Sequence, residues 1–126
     1  MKSFLTEQKV VLITGAAGGI GAAVARALHA KGASLVLTDI SQARVDALAR
    51  DLGTPDRTLA LEADVMDSAA LDEVVDAAIS RFGGIDVVFA NAGIVPESPT
   101  TMAGTSEEVF EKLISVDLLG VWRTIK

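Results

Sequence analysis

The sequence predicts an α/β protein with a doubly wound parallel sheet, in which four strands carry helices on both faces. Short runs rich in valine, isoleucine and leucine alternate along the chain with longer segments of helical periodicity. Parallel strands require a crossover of a dozen or more residues, and the helical segments are long enough to supply one. A length of 126 residues suits a single domain, which we assign to residues 1–126. Half of these residues are apolar, which is enough to form a hydrophobic core.

The first unit pairs a candidate buried strand over 10–14 with a helix over 19–31, and Gly32 follows as a stop signal. The apolar residues of this helix recur every four positions, at Ile20, Val24 and Leu28. This spacing predicts that they form one stripe against the sheet.

The second and third units repeat this order. A strand over 35–38 is followed by a helix over 42–52, for which Ser41 is a candidate cap. A weaker strand over 57–62 precedes a helix that Asp67 is expected to cap. The inner stripe predicted for that helix consists of Leu71, Val74, Val75, Ala78 and Ile79.

The last unit is predicted to leave apolar surface uncovered. A fourth strand over 86–90 and a loop over 91–104 lead to a helix over 105–126, which a capping-box pattern (TSEE) opens. From Leu113 onward this helix is apolar nearly all round, and no fifth strand follows to pair with the fourth. We therefore expect a sheet that is incomplete on its carboxyl-terminal side. A longer parent chain, or a second subunit of a homo-oligomer, would cover this helix and strand.

Composition excludes several classes of function. There is no cysteine and a single histidine, which removes disulfides, thiolate zinc sites and cysteine nucleophiles and disfavours other metal sites. Seventeen acidic against eleven basic residues give a net charge of -6, the wrong sign for nucleic acid or an anionic membrane surface. The uncharged run over 10–25 contains Thr14 and four glycines, so no membrane span is expected. No secretory signal is apparent, and we expect a cytoplasmic protein.

A glycine-rich loop joins the first strand to the first helix, the position at which open α/β sheets bind phosphate. Its sequence from Thr14 onward is TGAAGGIG. Gly15 permits a tight turn, Gly19 lets the backbone approach a pyrophosphate, and Gly21 allows the helix to pack closely on the strand. The first amides of the helix would face the anion. A tight turn that binds nothing is the alternative interpretation.

Polar motifs follow the other three strands. Asp39 comes after the second strand, Asp64-Val65 after the third and Asn91-Ala92-Gly93 after the fourth. With the glycine loop, these motifs resemble the amino-terminal, cofactor-binding half of the short-chain dehydrogenase/reductase family over essentially the whole chain. The resemblance implies a Rossmann-type fold and the transfer of a hydride between NAD(H) and a small alcohol or carbonyl substrate.

The resemblance also implies roles for individual residues. The Asp39 carboxylate would accept hydrogen bonds from the adenosine ribose and repel a 2′-phosphate, which favours NAD over NADP. No basic residue occupies positions 16–18 or 40, and this absence supports the same choice. Asp64 and the Val65 backbone would contact the adenine ring. The predicted cofactor-binding residues are Gly15, Gly18, Gly19, Ile20, Gly21, Asp39, Ile40, Asp64, Val65, Asn91, Ala92 and Gly93.

Several of these residues also have a structural interpretation. Asp39 could be a solvated acid at a strand end, Asp64 a neighbour of a helix cap, and Asn91 part of a purely structural turn. His29 lies beside the predicted stripe and is expected to be a solvated helix residue.

The catalytic residues of the family are missing from this chain. The family uses a tyrosine as the proton-transfer group, with a lysine four positions later and an upstream serine, whereas this sequence contains no tyrosine. The family also places an asparagine in the helix after the fourth strand, at the position where Asp117 stands. An aspartate could still bind water but lacks the amide donor, so Asp117 is a weak catalytic candidate beside a plain helix acid.

The sequence is compatible with three functions. The first is the cofactor-binding half of an NAD-dependent short-chain dehydrogenase/reductase, inactive as an isolated chain. The second is a non-catalytic nucleotide-binding module, and the third is an interaction piece that completes its sheet with another polypeptide. The substrate and the direction of the reaction are not predictable from these residues.

Overall fold

A computed structural model describes residues 7–97 and 101–126 and contains a four-stranded parallel sheet of order β3-β2-β1-β4. The strands are β1 (Val10–Thr14), β2 (Ser34–Asp39), β3 (Thr58–Glu62) and β4 (Val87–Phe89). The predicted fold class is confirmed, and each strand boundary lies within one residue of its prediction.

Helices connect the strands and follow the last one. They are α1 (Gly19–Ala30), α2 (Gln42–Leu52), α3 (Ser68–Phe82), α4 (Glu107–Leu113) and α5 (Val121–Ile125). A π-helical segment, Ile114–Gly120, joins α4 to α5. We call the continuous helical stretch 107–125 the C-terminal helix. Short 3-10 turns lie at Pro55–Arg57 and Met102–Gly104.

Two hydrophobic cores lie on opposite faces of the sheet, because successive side chains of a strand point to opposite sides. The core under α1 and α2 contains Val11, Ile13, Ala16, Ala25, Ala33, Leu35, Leu37, Val45 and Leu48. The core under α3 and the C-terminal helix contains Val10, Leu12, Val36, Ala63, Val65, Leu71, Val74, Ala78 and Val116. Both faces of β1 and β2 are therefore covered, which explains the unbroken apolar runs of these strands.

The predicted inner stripe of α1 is wrong at its first residue. Ile20 is 70% exposed, whereas Gly21 and Ala25 are the buried residues of the helix. The helix therefore turns its small side chains towards the sheet, and an isoleucine would hold it too far away. The stripe of α3 is likewise narrower than predicted, because Leu71, Val74 and Ala78 are buried and Ile79 is 50% exposed.

The predicted helix caps have mixed outcomes. The Asp67 carboxylate caps α3, as predicted, by accepting hydrogen bonds from the amides of Ala69 and Ala70. Ser41 stands at the cap position of α2 but forms no side-chain cap bond, and the Gln42 amide donates instead to the Glu62 carboxylate at 3.1 Å.

The capping-box prediction for the last helix is also wrong. Ser106 is the cap residue, and its hydroxyl accepts a hydrogen bond from the Val109 amide at 3.3 Å. Because the cap is Ser106 and not Thr105, the third helical position holds Val109 in place of Glu108, and no carboxylate at that position can reach back to the cap.

His29 differs from its prediction as a solvated residue. Its ring is partly buried, contacts the Thr54 hydroxyl and accepts a hydrogen bond at Nε2 from the Arg57 guanidinium at 3.1 Å. Burial, and then the neighbouring Arg57 charge, lower the pKa of His29 below its ordinary value of 6.5.

Among the strands that the structure describes, β4 lies at the edge of the sheet and pairs only with β1. Val87 and Val88 are exposed there, in keeping with the uncovered edge that the sequence predicts. Within residues 7–97 and 101–126, no helix is long and apolar enough to cross a membrane.

Candidate functional site

A cleft of about 640 Å³ opens at the carboxyl ends of the strands, where the motifs predicted from the sequence come together. The predicted residues that line it are Gly15, Gly18, Gly19, Ile20, Asp39, Ile40, Asp64, Val65, Asn91, Ala92 and Gly93. Ligands of open α/β sheets bind in this crevice, outside the carboxyl ends of the strands.

The glycine loop forms one wall of the cleft. Gly15 has a φ of +61°, and a Cβ there would lie 2.8 Å from the Ala92 Cα. Only glycine therefore fits both the turn and the close approach of the segment that follows β4. Gly19 is different, because a Cβ there would meet no atom of residues 7–97 and 101–126 within 4 Å. The space beside Gly19 is open to the cleft.

Gly21 does not line the cleft but allows the close packing that the sequence predicts for it. A Cβ at this position would lie 2.9 Å from both the Ala16 Cα and the Asn91 side-chain nitrogen. Real Cβ atoms do not approach other atoms so closely, and the backbone at Ala16 cannot easily move aside. The contact fixes α1 against the loop and thus fixes the direction of the first helical amides.

Thr14 and Asn91 tie the glycine loop to the end of β4. The Thr14 hydroxyl accepts hydrogen bonds from the amides of Asn91 and Ala92, both at 3.1 Å. The Asn91 side-chain amide donates to the carbonyls of Thr14 and Gly15 at 3.1 and 3.2 Å. Thr14 is buried, and these bonds satisfy polar groups that would otherwise be costly to bury. Asn91 therefore braces the loop in addition to lining the cleft.

Asp39 is only 8% exposed at the end of β2. Its Oδ2 accepts a hydrogen bond from the Ala17 amide at 3.1 Å, which fixes the carboxylate against the glycine loop. Within the described part of the chain, Oδ1 has no hydrogen-bond partner and remains an acceptor for a group in the cleft.

Asp64 and Val65 form the floor of the cleft beyond β3. The Asp64 Oδ1 accepts a hydrogen bond from the Met66 amide at 2.9 Å, so this carboxylate also shapes its own turn. The Val65 side chain is buried and packs against Gly120, where a Cβ would lie 2.6 Å from Val65 Cγ2. The C-terminal helix is thereby seated on the floor of the cleft.

Asp117 does not line the cleft. It lies in the π-helical segment, and its Oδ1 accepts a hydrogen bond from the Ile94 amide at 2.8 Å. Ile94 itself lines the cleft, as does its neighbour Gly93. The aspartate therefore holds the cleft wall from behind, and π-helical turns are frequent at functional sites.

The sequence interpretation missed two basic residues of the cleft, Arg44 and Lys112. Arg44 is the third residue of α2, and its Nη2 donates to the Ala17 carbonyl at 2.7 Å. The absence of basic residues at positions 16–18 and 40 therefore does not leave the Asp39 side of the cleft without a basic group, because α2 turns Arg44 back towards the glycine loop. A signal was present, since Arg44 lies in the first turn of the helix that follows Asp39. No sequence signal singled out Lys112.

The residues of the cleft fit a dinucleotide. In the part of the chain that the structure describes, no side chain caps the start of α1, and the first turn of this helix holds no acidic residue, so nothing from the helix competes for its first amides. A pyrophosphate is stabilised by such amides and by the positive end of the helix dipole. Among residues 7–97 and 101–126 there is no cluster of three histidine or carboxylate side chains that could hold a metal ion.

Known proteins share this fold and much of this sequence. The structure is similar to that of a short-chain dehydrogenase/reductase, glucose/ribitol dehydrogenase, from Brucella melitensis, with a TM-score of 0.89 and 40% identity over 98% of this chain and 51% of that one. It is also similar to a 3-ketoacyl-(acyl-carrier-protein) reductase from the same organism, solved with NADH, with a TM-score of 0.87 and 36% identity over 94% and 48% of the two chains.

Several oxidoreductases are similar to this chain in sequence. A galactitol 2-dehydrogenase of Agrobacterium fabrum is 41% identical over 89% of this chain and 42% of its own length. An uncharacterized oxidoreductase of Mycobacterium bovis is 37% identical over 94% of this chain and 47% of its own length. The chain thus spans about half the length of the relatives it matches. The model of the short chain dehydrogenase family matches residues 9–126, and the chain belongs to this family.

Proposed function

We propose that residues 1–126 are the cofactor-binding domain of an NAD-dependent oxidoreductase that transfers a hydride between NAD(H) and an alcohol or carbonyl substrate. Membership of the short-chain dehydrogenase family supports an oxidoreductase role. The observation that carries the proposal is the convergence of the glycine loop, Asp39, Asp64 and Asn91 on one cleft at the carboxyl edge of the sheet.

Each part of the dinucleotide has a place in this proposal. The pyrophosphate would lie beside Gly19, where the space is open, against the first amides of α1. The free Oδ1 of Asp39 would accept a hydrogen bond from a hydroxyl of the adenosine ribose. The adenine ring would lie over Asp64 and Val65, and the nicotinamide end would extend towards Asn91 and Gly93.

The choice of NAD over NADP rests on the charge of Asp39. A 2′-phosphate would lie near this carboxylate, and like charges at such distances repel each other. The neighbour solved with NADH is in keeping with this choice. Because Asp39 is nearly buried and fixed by Ala17, it cannot easily move away from a phosphate.

The chemistry divides between the cofactor and the protein. Bound NAD(H) supplies or accepts the hydride. The residues of this chain hold the dinucleotide in place, and Asp117 positions the cleft wall through Ile94. The accompanying proton transfer needs a general acid or base. These 126 residues include no tyrosine that could provide one.

A titration of the full chain with NADH in a calorimeter tests the proposal, with Gly19→Ala as the diagnostic variant. The added methyl meets no atom of the described residues within 4 Å, so we expect the free energy of unfolding to stay the same or to rise by up to ~1 kcal/mol. The affinity for NADH should fall by about tenfold or more, because the methyl would occupy space assigned to the pyrophosphate.

Two results would count against the proposal. Absence of binding heat with NADH in the unmodified chain would remove the nucleotide-binding function. Unchanged NADH affinity in a folded Gly19→Ala variant would remove the assigned position of the pyrophosphate.

We also propose that the protein is a homo-oligomer that buries the C-terminal helix. Large apolar side chains are exposed along this helix, at Val109, Phe110, Ile114, Leu118, Leu119, Trp122 and Ile125. Patches of this kind are typical of interaction surfaces. Sedimentation at micromolar concentration should give a dimer or larger species, and Leu118→Glu should shift it towards monomer. A monodisperse monomer of the unmodified protein would contradict this proposal.

A further inference from the structure

Arg44 places a positive charge on the Asp39 side of the cleft. It lines the same cleft as Asp39 and belongs to the first turn of α2, the helix that follows this aspartate. The other basic residue in the lining, Lys112, belongs to α4, on a different element. The region assigned to the adenosine ribose therefore contains both a carboxylate and a guanidinium.

A single residue of the glycine loop fixes both of these groups. The Ala17 amide donates to Asp39 Oδ2 at 3.1 Å, and the Ala17 carbonyl accepts from Arg44 Nη2 at 2.7 Å. The carboxylate and the guanidinium are thus hydrogen-bonded to the two backbone groups of the same residue, the first to its amide and the second to its carbonyl. A ligand group that reaches Asp39 along the loop also comes near Arg44.

The charge of Arg44 is not neutralised by a carboxylate. Its partner is a neutral carbonyl, and it forms no salt bridge within residues 7–97 and 101–126. Arg26, by contrast, pairs with Asp51 at 3.2 Å on the surface. A guanidinium carries five donors in a planar fork, so the one bond to Ala17 leaves others available. Such a fork suits the oxygens of a phosphate monoester.

We propose that Arg44 is a second determinant of the choice between NAD and NADP, acting against Asp39. Its guanidinium pairs with a phosphate on the adenosine 2′-oxygen. This pairing limits the discrimination against NADP(H) that the Asp39 carboxylate provides. The inference rests on the proposed function, because it requires the adenosine ribose to lie beside Asp39. It predicts a protein that prefers NAD(H) but still binds NADP(H) measurably.

Four forms of the full chain test this inference: the unmodified protein, Arg44→Ala, Asp39→Asn and the double variant. Dissociation constants for NADH and NADPH are measured by calorimetry. Arg44→Ala should weaken NADPH binding about fivefold more than it weakens NADH binding, because only NADPH carries the 2′-phosphate. Asp39→Asn keeps an acceptor for the Ala17 amide but loses the charge, and NADPH binding should strengthen. Adding Arg44→Ala to Asp39→Asn should reverse that gain.

Arg50→Ala is the matched control. It removes the same charge from the same helix, but Arg50 does not line the cleft, and the NADPH affinity should change by less than about twofold. Equal weakening of NADH and NADPH by Arg44→Ala would mean that the residue only tethers α2 to the loop, and would overturn the inference. Unchanged NADPH affinity, or an equal effect of Arg50→Ala, would also overturn it. An unmodified chain that binds neither nucleotide would instead remove the proposed function.

Discussion

The two faces of the sheet differ in how completely this chain covers them. Under α1 and α2, the side chains of Ile13, Leu35 and Leu37 have no exposed surface. On the opposite face, α3 buries its own stripe, but the C-terminal helix leaves side chains such as Leu118 and Trp122 largely exposed. We call the face under α1 and α2 the closed face, and the face under α3 and the C-terminal helix the open face, because exposed apolar side chains lie beside the core of the second face. Elements from both faces contribute residues to the lining of the cleft.

The largest expected effect comes from a cavity on the closed face. Leu37→Ala removes a fully buried side chain of β2 and should cost about 2–5 kcal/mol of unfolding free energy. Leu118→Ala is the matched control on the open face, where the side chain is 58% exposed in the single chain, and for the dissociated monomer it should cost less than about 0.5 kcal/mol. Urea unfolding followed by circular dichroism measures both. Similar costs for the two variants would mean that the faces do not differ in this way.

A second prediction probes a tight contact of the open face. A methyl at Gly120 would lie 2.6 Å from Val65 Cγ2, and the stiff valine cannot rotate aside. Gly120→Ala should therefore cost about 1–3 kcal/mol, although alanine favours helix more than glycine does. Val65→Ala should recover most of this loss in the double variant, because it makes room for the methyl. Additive losses in the urea unfolding of the double variant would exclude this contact as the cause.

The sequence predicts the strands and the motifs of the cleft better than it predicts how the helices pack against them. The strands, and the convergence of Asp39, Asp64 and Asn91, follow from local apolar runs and from the rule that parallel strands end at one edge. The exposure of Ile20 could not be predicted from spacing, because the close packing of Gly21 against Gly15 decides which side of α1 faces the sheet. The position of Arg44 depends on the approach of α2 to the glycine loop, which is a tertiary contact.

The junction between the open face and the cleft gives a third, smaller effect. Asp117 accepts a hydrogen bond from the Ile94 amide at 2.8 Å, across 23 residues of sequence. Asp117→Leu should remove this bond and cost about 1 kcal/mol, whereas Asp117→Asn keeps an acceptor and should cost less. Amide hydrogen exchange at Ile94 is the specific measurement, and it should accelerate in the leucine variant only. Equal exchange in all three proteins would mean that the bond does not hold the cleft wall.

The smallest expected effect is a pH dependence at the end of α1 on the closed face. The pKa of His29 is lowered by burial and then by Arg57, so the folded protein favours the neutral ring. Above pH 6.5 the ring is neutral in both states and contributes no pH dependence. As the pH falls through 6.5, the unfolded chain gains the proton first, and stability decreases until the lower pKa of the folded state is reached.

His29→Gln separates this effect from the titration of carboxylates, because glutamine keeps an acceptor for Arg57 but does not ionise. Between pH 7.5 and 5.5 the unmodified protein should lose more unfolding free energy than the glutamine variant, as measured by urea unfolding at each pH. Because the ring is only partly buried, the difference should be small but of fixed sign. Parallel pH profiles for the two proteins, or a greater loss in the variant, would show that Arg57 and burial do not govern the titration of this histidine.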